Sequence, residues 1–427
     1  MKFSLLSPRE QLARIMNRIY YGGMTTLSGG NLSILDEQGN IWITPSAVDK
    51  GNLKPEDICC IKPDGTVIGL HQPSSELPFH RAIYEKRPNV RSIVHAHPPA
   101  LVAFSIARQI PDTNIIPQAK RVCGTVGYAL YAVPGSELLG QNIAAAFEEG
   151  YDVVLLENHG MASAGESLLE AFQRLETLDF CARIQMHAQG LGAFTTLTDE
   201  DIKKFDHRDN MLDEFTAEHH SSQERESREQ IVRIVHRAYE RQLMISTEGV
   251  VSIRVDENNF LITPTGQDRR TIDNQDIVLI NNGMREKGKL PSRSANLHQA
   301  IYNEHPEINC IITAQSPFAT TYAISDQSFD TKTIPESYVL LRDVPKLSYG
   351  KQFAHVEEIA AILSDKHPVL LIQNDCILTT GSNLLQAFDR IEVAEFTARS
   401  LMDARKIGSL VPIDDQQIQE LEQKFLN

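Results

Sequence analysis

The sequence lacks any apolar run that approaches the roughly 20 residues needed by a membrane-spanning helix. Its N-terminal apolar run is also too short for a signal peptide. The 6 cysteines form neither a CxxC pair nor the spacing of a disulfide framework. We therefore expect buried, reduced thiols and a cytoplasmic protein.

Basic residues are also scarce relative to acidic ones. The chain has 41 Lys and Arg against 56 Asp and Glu, which gives a formal net charge of −15. This balance argues against a general nucleic-acid surface but leaves room for a local basic pocket for an anionic substrate. The 427 residues, of which 41% are hydrophobic and 23% charged, describe a soluble globular protein of two to three domains.

What the sequence does contain is one unit that occurs twice. Short motifs of the first half return in the same order in the second half, displaced by 216 to 219 residues. We infer a tandem duplication, with a first copy at 1–198, a charged linker at 199–227 and a second copy at 228–427. The recurring motifs are Arg9-Glu10-Gln11 with Arg228-Glu229-Gln230, Ile43-Thr44-Pro45 with Ile262-Thr263-Pro264, Pro73-Ser74 and His80 with Pro291-Ser292 and His298, and Ala171-Phe172 with Ala387-Phe388.

Hydrophobic periodicity and turn residues predict a mixture of helices and strands in the first copy. Turn residues at 36–40 and 63–65 predict two hairpins. The predicted helices are 9–20, 76–87, 138–147 and 167–189, and the predicted strands are 41–44, 58–61, 66–68, 91–97 and 153–156.

Three histidines and a glutamate of the first copy have the pattern of a metal site. His95 and His97 lie two apart on a predicted strand, so their side chains share one face. His159 stands where an apolar strand runs into Gly160, and Glu76 precedes the pair. Catalytic zinc is typically held by three protein ligands with one position open. A His-x-His pair alone would be equally consistent with surface residues, but the third histidine and the carboxylate favour metal binding.

The second copy lacks this set. The offsets place non-ligating or weaker groups at the four positions, so zinc could not bind there in the same way. The first copy is therefore predicted to carry the chemistry, and the second to be a structural or regulatory partner. At these four positions Glu76 is replaced by Ser294, His95 by Thr313, His97 by Gln315 and His159 by Asp375. Two further positions also differ, since Val250 replaces Asn31 and Arg293 replaces Ser75.

Several motifs of the first copy resemble the class II aldolase/adducin family. The resemblance covers both copies and implies an α/β fold for each, with a central, mostly antiparallel sheet and helices on both faces. The motifs are Gly30-Asn31-Leu32-Ser33, Thr44-Pro45-Ser46, Pro73-Ser74-Ser75-Glu76, His95-Ala96-His97, Tyr131-Ala132-Val133-Pro134-Gly135 and Asn158-His159-Gly160.

The resemblance also implies roles for individual residues. It implies one zinc ion per chain on His95, His97 and His159, proton transfer by Glu76, and proton donation by Tyr131. It further implies that a substrate phosphate is held by Asn31, Ser46, Ser74 and Ser75.

One position departs from the family pattern. The family's Thr-Pro-Ser/Thr-Gly is Thr44-Pro45-Ser46-Ala47 here, and a Cβ at Ala47 is expected to hinder a positive φ or a close backbone approach to phosphate.

These residues predict a zinc-dependent aldolase that cleaves a sugar phosphate or related hydroxy-ketone through a metal-stabilised enediolate. One alternative keeps the metal and changes the reaction to decarboxylation, dehydration or epimerisation. The family's ribulose-phosphate 4-epimerase has Ser-Ser-Asp where this chain has Ser75-Glu76, which disfavours that member. The other alternative is a non-catalytic, adducin-like interaction protein.

The duplication also predicts an assembly. Members of the family commonly form four-fold rings, so two chains are expected to form a homodimer with a pseudo-four-fold ring of alternating copies. Sliding the repeat by 215 or 216 residues places Lys346 or Leu347 opposite Tyr131, so the second copy would offer no tyrosine at that position.

Overall fold

The protein is described by a computed structural model that covers residues 3–206 and 212–426. It divides into two compact units. The first unit extends to Thr113 and includes Gln118–Arg183, and the second contains Asn114–Pro117 and the chain from Ile184 onward. All 6 cysteines are buried and free, as the sequence predicted. Among the described helices, none has the length and apolar character of a membrane span.

The sequence specifies where the first α-helix of the first unit begins. Ser7 caps it in a reciprocal capping box with Glu10, and Pro8 occupies the first helical position. The predicted elements of this copy are confirmed to within a few residues. The helices are α1 Pro8–Tyr21, α2 Leu77–Lys86, α3 Pro99–Ile106, α4 Pro117–Cys123, α5 Glu137–Glu148 and α6 Leu168–Gln189. The strands are β1 Asn31–Leu35, β2 Ile41–Ile43, β3 Cys59–Ile61, β4 Val67–Ile68, β5 Ser92–Ala96, β6 Gly127–Ala129, β7 Val153–Leu156 and β8 Gly160–Gly165.

These strands form a sheet in the order β4-β3-β2-β1-β5-β8-β7-β6. Its described pairs are antiparallel except β6 with β7. Successive side chains of β7 alternate between two cores: Val153 and Leu155 pack with α1, α3 and α6, whereas Val154 and Leu156 pack with α2 and α5. Helices therefore cover both faces, which confirms the predicted fold class.

The second unit repeats this order with different lengths. The helices are α7 Asp199–Asp206, α8 Ser222–Glu240, α9 Ala295–Glu304, α10 Pro317–Ile324, α11 Pro335–Leu341, α12 Lys351–Ala354, α13 Val356–Ile362, α14 Leu384–Ile407 and α15 Asp415–Phe425. The strands are β9 Glu214–Phe215, β10 Val250–Arg254, β11 Asn259–Ile262, β12 Val278–Asn281, β13 Met284–Glu286, β14 Cys310–Ala314, β15 Lys346–Leu347, β16 Val369–Ile372 and β17 Cys376–Gly381.

The second sheet has the order β15-β16-β17-β14-β10-β11-β12-β13-β9, which is the first sheet's order with β9 added at one edge. The segment predicted as a linker, 199–227, contains α7, β9 and the start of α8. Its residues 207–211 lie outside the described residues. The boundaries at 198 and 228 stay a prediction.

Strand register corrects the comparison of the copies around Tyr131. In the first unit β6 pairs Tyr128 with Leu155, and in the second unit β15 pairs Lys346 with Leu371. Leu155 and Leu371 are equivalent because β7 and β16 are 216 residues apart. Lys346 is thus the counterpart of Tyr128. Three residues further along each copy, Tyr349 is the counterpart of Tyr131. The expectation that the second copy has no tyrosine here was wrong, because the connection from this strand to the strand it pairs with is two residues shorter in the second copy.

Candidate metal and substrate site

Three adjacent strands place the histidines at one end of the first sheet. His95 lies near the end of β5, paired with Asn31 of β1 on one side and Ala162 of β8 on the other. His97 follows the end of β5, and His159 lies in the turn before β8. Gly160 permits this turn, because a Cβ there would lie 2.5 Å from the Ala96 carbonyl oxygen and 2.6 Å from the His97 ring. The predicted histidines are therefore brought together.

The ring nitrogens of these histidines converge. One ligand atom from each of His95, His97 and His159 lies within 4.8 Å of the others. The Nε2 atoms of His95 and His97 are 3.0 Å apart. Two imidazole nitrogens bound tetrahedrally to one zinc ion lie about 3.3 Å apart, so the spacing fits a shared cation. Within the described residues, no other group of three His, Cys, Asp or Glu side chains converges in this way.

The environment of the cluster favours the metal-binding form of the rings. The Nδ1 atom of His95 donates a hydrogen bond to the Met161 carbonyl at 2.8 Å, which directs Nε2 into the cluster. Burial and, to a smaller extent, the nearby His95 lower the pKa of His97 to about 3 and that of His159 to about 4. Neutral imidazole is the form that binds a metal.

Glu76 lies against the cluster. Its Oε2 is 3.2 Å from His95 Nε2, and its Oε1 is 3.7 Å from His159 Nε2. Burial acts to raise the pKa of the Glu76 carboxyl, but His95 and the hydrogen bond from Asn31 outweigh it and lower this pKa. Oε1 is buried and has no hydrogen-bond partner among the described residues. Such an orphaned carboxylate oxygen beside three imidazoles is what a cation or a substrate proton would satisfy.

A buried chain of hydrogen bonds, which the sequence did not reveal, leads to Glu76. The Asn31 amide donates to Glu76 Oε2 at 2.7 Å, and its Oδ1 accepts from His80 Nε2 at 2.5 Å. The His80 Nδ1 atom therefore accepts, and it lies 2.6 Å from the Ser33 hydroxyl, which lies 2.7 Å from the Tyr84 hydroxyl. Every donor in this chain points towards the carboxylate. The repeat held a signal for it, because Ser33, His80 and Tyr84 return as Ser252, His298 and Tyr302.

The three serines among the predicted phosphate-binding residues lie on two neighbouring loops, and Asn31 lies on β1. A bridge between Pro45 and Pro73 joins these loops, and Ser46 donates from its backbone to the Gln72 carbonyl at 3.0 Å. The Ser74 hydroxyl accepts from the Glu76 backbone at 3.3 Å at the start of α2. Ser75 is exposed. Asn31 differs from the serines, because its side-chain amide is engaged by Glu76 and His80.

Ala47 adopts the left-handed conformation that we expected its Cβ to hinder. Its φ is 56°, and its counterpart Gly266 in the second unit has a φ of 69°. The loop formed by 44–47, here called the Thr44–Ala47 loop, thus keeps the same backbone in both copies. Beneath it, the buried Lys50 donates from Nζ to the Pro45 carbonyl at 2.5 Å.

Tyr131 is not part of the histidine cluster. Its side chain is 57% exposed and makes no hydrogen bond among the described residues, while its backbone N–H donates to Glu157 Oε2 at 2.8 Å. Its counterpart Tyr349 is half-buried, and its hydroxyl donates to the Asp201 carbonyl at 3.1 Å.

The second unit keeps the hydrogen-bonded residues that surround the site but not the carboxylate and the histidines. Ser252 still lies 2.7 Å from both His298 and the Tyr302 hydroxyl. The series of hydrogen bonds ends there, because Val250 replaces Asn31. His298 Nε2 therefore has no partner among the described residues. Asp375, at the position of His159, accepts from Gln352 at 2.9 Å. The duplicated scaffold has therefore lost the carboxylate and the three imidazoles together.

Comparison with known families matches this architecture. The family model of the class II aldolase and adducin N-terminal domain matches residues 10–186 and again residues 229–402. The chain belongs to this family. Each copy is a class II aldolase-like domain, and relatives of the chain include aldolases and a decarboxylase.

The following three relatives each match less than half of this chain. A 3-oxo-tetronate 4-phosphate decarboxylase of Escherichia coli is 33% identical over 182 residues, which are 42% of this chain and 85% of that protein. A 5-deoxy-D-ribulose 1-phosphate aldolase of Bacillus thuringiensis is 33% identical over 211 residues, 47% of this chain and 97% of that protein. The crystal structure of YgbL from Escherichia coli covers 46% of this chain and 96% of its own, with 30% identity and a TM-score of 0.43.

Proposed function

We propose that the first copy is a zinc-dependent aldolase that breaks a carbon–carbon bond in a sugar phosphate or a related hydroxy-ketone. The observation that carries this proposal is the convergence of His95, His97 and His159 beside the buried carboxylate of Glu76. Membership of a family that includes aldolases supports it. Three neutral imidazoles suit zinc, although other divalent transition metals bind the same donors.

The three histidines would hold the metal and leave coordination positions open to substrate. When bound, a divalent ion supplies a Lewis acid that polarises a carbonyl oxygen and stabilises developing negative charge. The protein's own part is to fix the ligands, and the hydrogen bond from His95 to Met161 does so for one of them.

Glu76 is the residue that moves the proton in this proposal. Asn31 holds Oε2, whereas Oε1 has no partner among the described residues. The proton is therefore transferred at Oε1, to or from the substrate carbon next to the carbonyl. General acid–base catalysis of this kind typically contributes a factor of about 10² to 10⁴.

The serines would bind the anionic end of the substrate. Ser74 and Ser75 precede α2, whose first backbone N–H groups and dipole favour an anion. Ser46 is brought next to them by the bridge between Pro45 and Pro73. Because Ala47 has the same left-handed backbone as Gly266 of the second copy, the Thr44–Ala47 loop is compatible with this role.

Tyr131 is proposed to carry the proton of the substrate hydroxyl that becomes the aldehyde carbonyl: the proton leaves this oxygen in cleavage, and Tyr131 donates it back in the reverse addition. Its exposed side chain is consistent with a role that depends on substrate or on another subunit. Decarboxylation is the second candidate, favoured by the 33% identity to a 3-oxo-tetronate 4-phosphate decarboxylase. Decarboxylation converts no hydroxyl group into an aldehyde carbonyl, so that reaction would not need Tyr131 for proton transfer.

A substrate screen tests the proposal. Purified full-length protein, reconstituted with zinc, is assayed against ketose 1-phosphates for aldehyde release and against 3-oxo acid phosphates for carbon dioxide release. We expect turnover of a ketose phosphate that falls about a hundredfold or more in Glu76→Gln and also falls in Tyr131→Phe.

Release of carbon dioxide that survives Tyr131→Phe but not Glu76→Gln would replace the aldolase by the decarboxylase. Absence of turnover with a fully loaded metal site would favour the non-catalytic, adducin-like reading. Exposed Tyr21→Phe is the matched control for the tyrosine substitution, because Tyr21 is 75% exposed and lies at the end of α1.

A further inference from the structure

The imidazole of His97 lies between two glycines. A Cβ on Gly160 would lie 2.6 Å from its Cδ2 atom, and a Cβ on Gly29 would lie 2.8 Å from its Nδ1 atom. Its Nε2 atom lies 3.0 Å from the Nε2 atom of His95. Nε2 therefore belongs to the histidine cluster, whereas Nδ1 is directed at the loop between α1 and β1.

Nδ1 of His97 lacks the partner that a metal-binding histidine usually has. Such a histidine almost always donates its second ring N–H to a carbonyl, a carboxylate or water, which fixes the ring. His95 does so through the Met161 carbonyl. The His97 ring makes its one described hydrogen bond to His95 through Nε2, so Nδ1–H is left without an acceptor.

Thr25, in the loop between α1 and β1, offers an acceptor. Its Oγ1 atom is buried and has no hydrogen-bond partner among the described residues. Like Nδ1 of His97, it lies 2.8 Å from the position of a Cβ on Gly29, so the two atoms are separated by no more than twice that distance. The backbone N–H of His97 donates to the Met24 carbonyl at 3.1 Å, which holds the loop beside the histidine. A buried polar atom without a partner calls for a functional explanation, and the unserved Nδ1–H supplies one.

The second copy loses this hydroxyl together with the imidazole. The loop between α8 and β10 has the same length as the loop between α1 and β1, so Met244 stands at the position of Thr25. The apolar side chain of Met244 packs against Gly249. Gln315 stands at the position of His97. By contrast, the buried serine, histidine and tyrosine that lead to the carboxylate are kept in both copies. The loss of the threonine is therefore selective, and it accompanies the loss of the histidine.

We propose that Thr25 is a positioning residue of the metal site: its hydroxyl accepts a hydrogen bond from Nδ1 of His97 and holds the ring in the tautomer that presents Nε2 to a cation. The contact forms by rotation about the Thr25 Cα–Cβ bond, which carries Oγ1 towards the ring without moving the backbone. The proposal rests on the metal site of the proposed function, but not on the reaction at that site.

Two variants of the full chain separate the hydroxyl from the shape of the side chain. Thr25→Val keeps the shape and removes the hydroxyl, whereas Thr25→Ser keeps the hydroxyl. The zinc affinity of metal-free protein is measured by competition with a chromophoric chelator. We expect the affinity to fall about 10- to 100-fold in Thr25→Val, the usual effect of losing such a partner, and to be restored in Thr25→Ser.

Two further measurements distinguish positioning from a merely structural role. The Thr25 hydroxyl has no partner among the described residues, so the urea midpoint of metal-free Thr25→Val should equal or exceed that of the wild type. A structural role would lower this midpoint. With cobalt in place of zinc, the visible absorption bands report the ligand geometry, and they should shift in Thr25→Val and return in Thr25→Ser.

Two controls make the test specific. Met244→Thr is the matched substitution in the second copy and should leave the zinc affinity unchanged, because Gln315 stands there in place of the imidazole. Thr26 is exposed, and its Oγ1 lies 3.0 Å from the same Cβ position on Gly29. Thr26→Val should bind zinc as the wild type does, because water can take the place of an exposed hydroxyl.

The outcomes separate this proposal from the metal site itself. If Thr25→Val binds zinc as tightly as the wild type, or if Thr26→Val is the variant that loses affinity, the role of Thr25 is overturned and the metal site stands. Zinc binding that survives His95→Ala/His97→Ala overturns both the role of Thr25 and the proposed function.

Discussion

Asn31 and Val250 occupy the same position in the two copies, and they decide whether a buried hydrogen-bond chain reaches a carboxylate. With Asn31, the chain runs from Tyr84 to Glu76. With Val250, it ends at His298. A buried polar network orients its members when every group is satisfied, so Asn31 fixes the direction in which Glu76 presents Oε1.

Replacing Asn31 by the residue of the second copy tests this reading. In Asn31→Val we expect kcat to fall about 10- to 100-fold with KM and metal content little changed, because the carboxylate loses its orientation. Steady-state kinetics and elemental analysis measure these quantities. A rise in KM alone would instead assign Asn31 to substrate binding, as the family resemblance implies. Val250→Asn is the matched control and should leave turnover unchanged.

Lys50 allows a prediction on pH and stability. Burial lowers the pKa of Lys50 from its ordinary 10.5 to about 8. The unfolded chain then binds more protons than the folded one between these values, so the free energy of unfolding rises with pH. Relative to Lys50→Met, we expect the wild type to gain about 2 kcal/mol between pH 7 and pH 9.5 in urea unfolding. A difference that stays constant with pH would show that the ammonium group keeps its ordinary pKa.

At the residue scale, the sequence predicted that the histidines lie together but not the hydrogen bonds around them. Histidine in a two-residue spacing on a strand indicates a shared face, and the structure brings His95 and His97 together. His80 lies in a helix, where a single histidine carries no such signal, and its partners Ser33 and Asn31 are far from it in sequence. Such a network depends on strand pairing, which composition and periodicity do not report.

At the element scale, the Thr44–Ala47 loop contains a residue, Ala47, in a backbone conformation that usually requires glycine. A left-handed residue other than glycine costs about 1–2 kcal/mol, and Ala47 accepts this conformation. Strain of this kind persists where the surrounding structure determines it, and it concentrates at functional sites. Here the buried Lys50 holds the loop in place by donating a hydrogen bond to the Pro45 carbonyl.

Reciprocal substitutions measure this strain. Gly266→Ala should lower the free energy of unfolding by about 1 kcal/mol, because a Cβ there meets no atom within 4 Å and only the backbone conformation is unfavourable. Ala47→Gly should raise it by up to about 1 kcal/mol. Denaturant unfolding of both variants provides the comparison. Stabilisation by Gly266→Ala would contradict the left-handed assignment.

At the element scale, most bounds of the first copy could be predicted from periodicity and turn residues. The exceptions come from loops of changed length. The counterpart of Tyr131 was misplaced because offsets drawn from distant motifs do not follow insertions, whereas the pairing of β15 with β16 does. The charged segment 199–227 is predicted as a solvated linker with some helix, and the structure forms α7 there with Phe205 buried.

At the scale of the whole molecule, the two domains have the same sheet order but different chemistry. The dimer with a pseudo-four-fold ring stays a prediction. Light scattering of the purified protein should give a mass near two chains, since tandem copies of a ring-forming domain can close a ring with half as many chains. A stable monomer at micromolar concentration would contradict it.

The central claim is that the chain holds one metal ion, and that the first copy binds it. Elemental analysis of freshly purified protein tests this claim directly. We expect about one zinc-type ion per chain, lost in His95→Ala/His97→Ala and kept in the matched Thr313→Ala/Gln315→Ala of the second copy. Two ions per chain, or an undiminished metal content after the histidines are removed, would contradict the account.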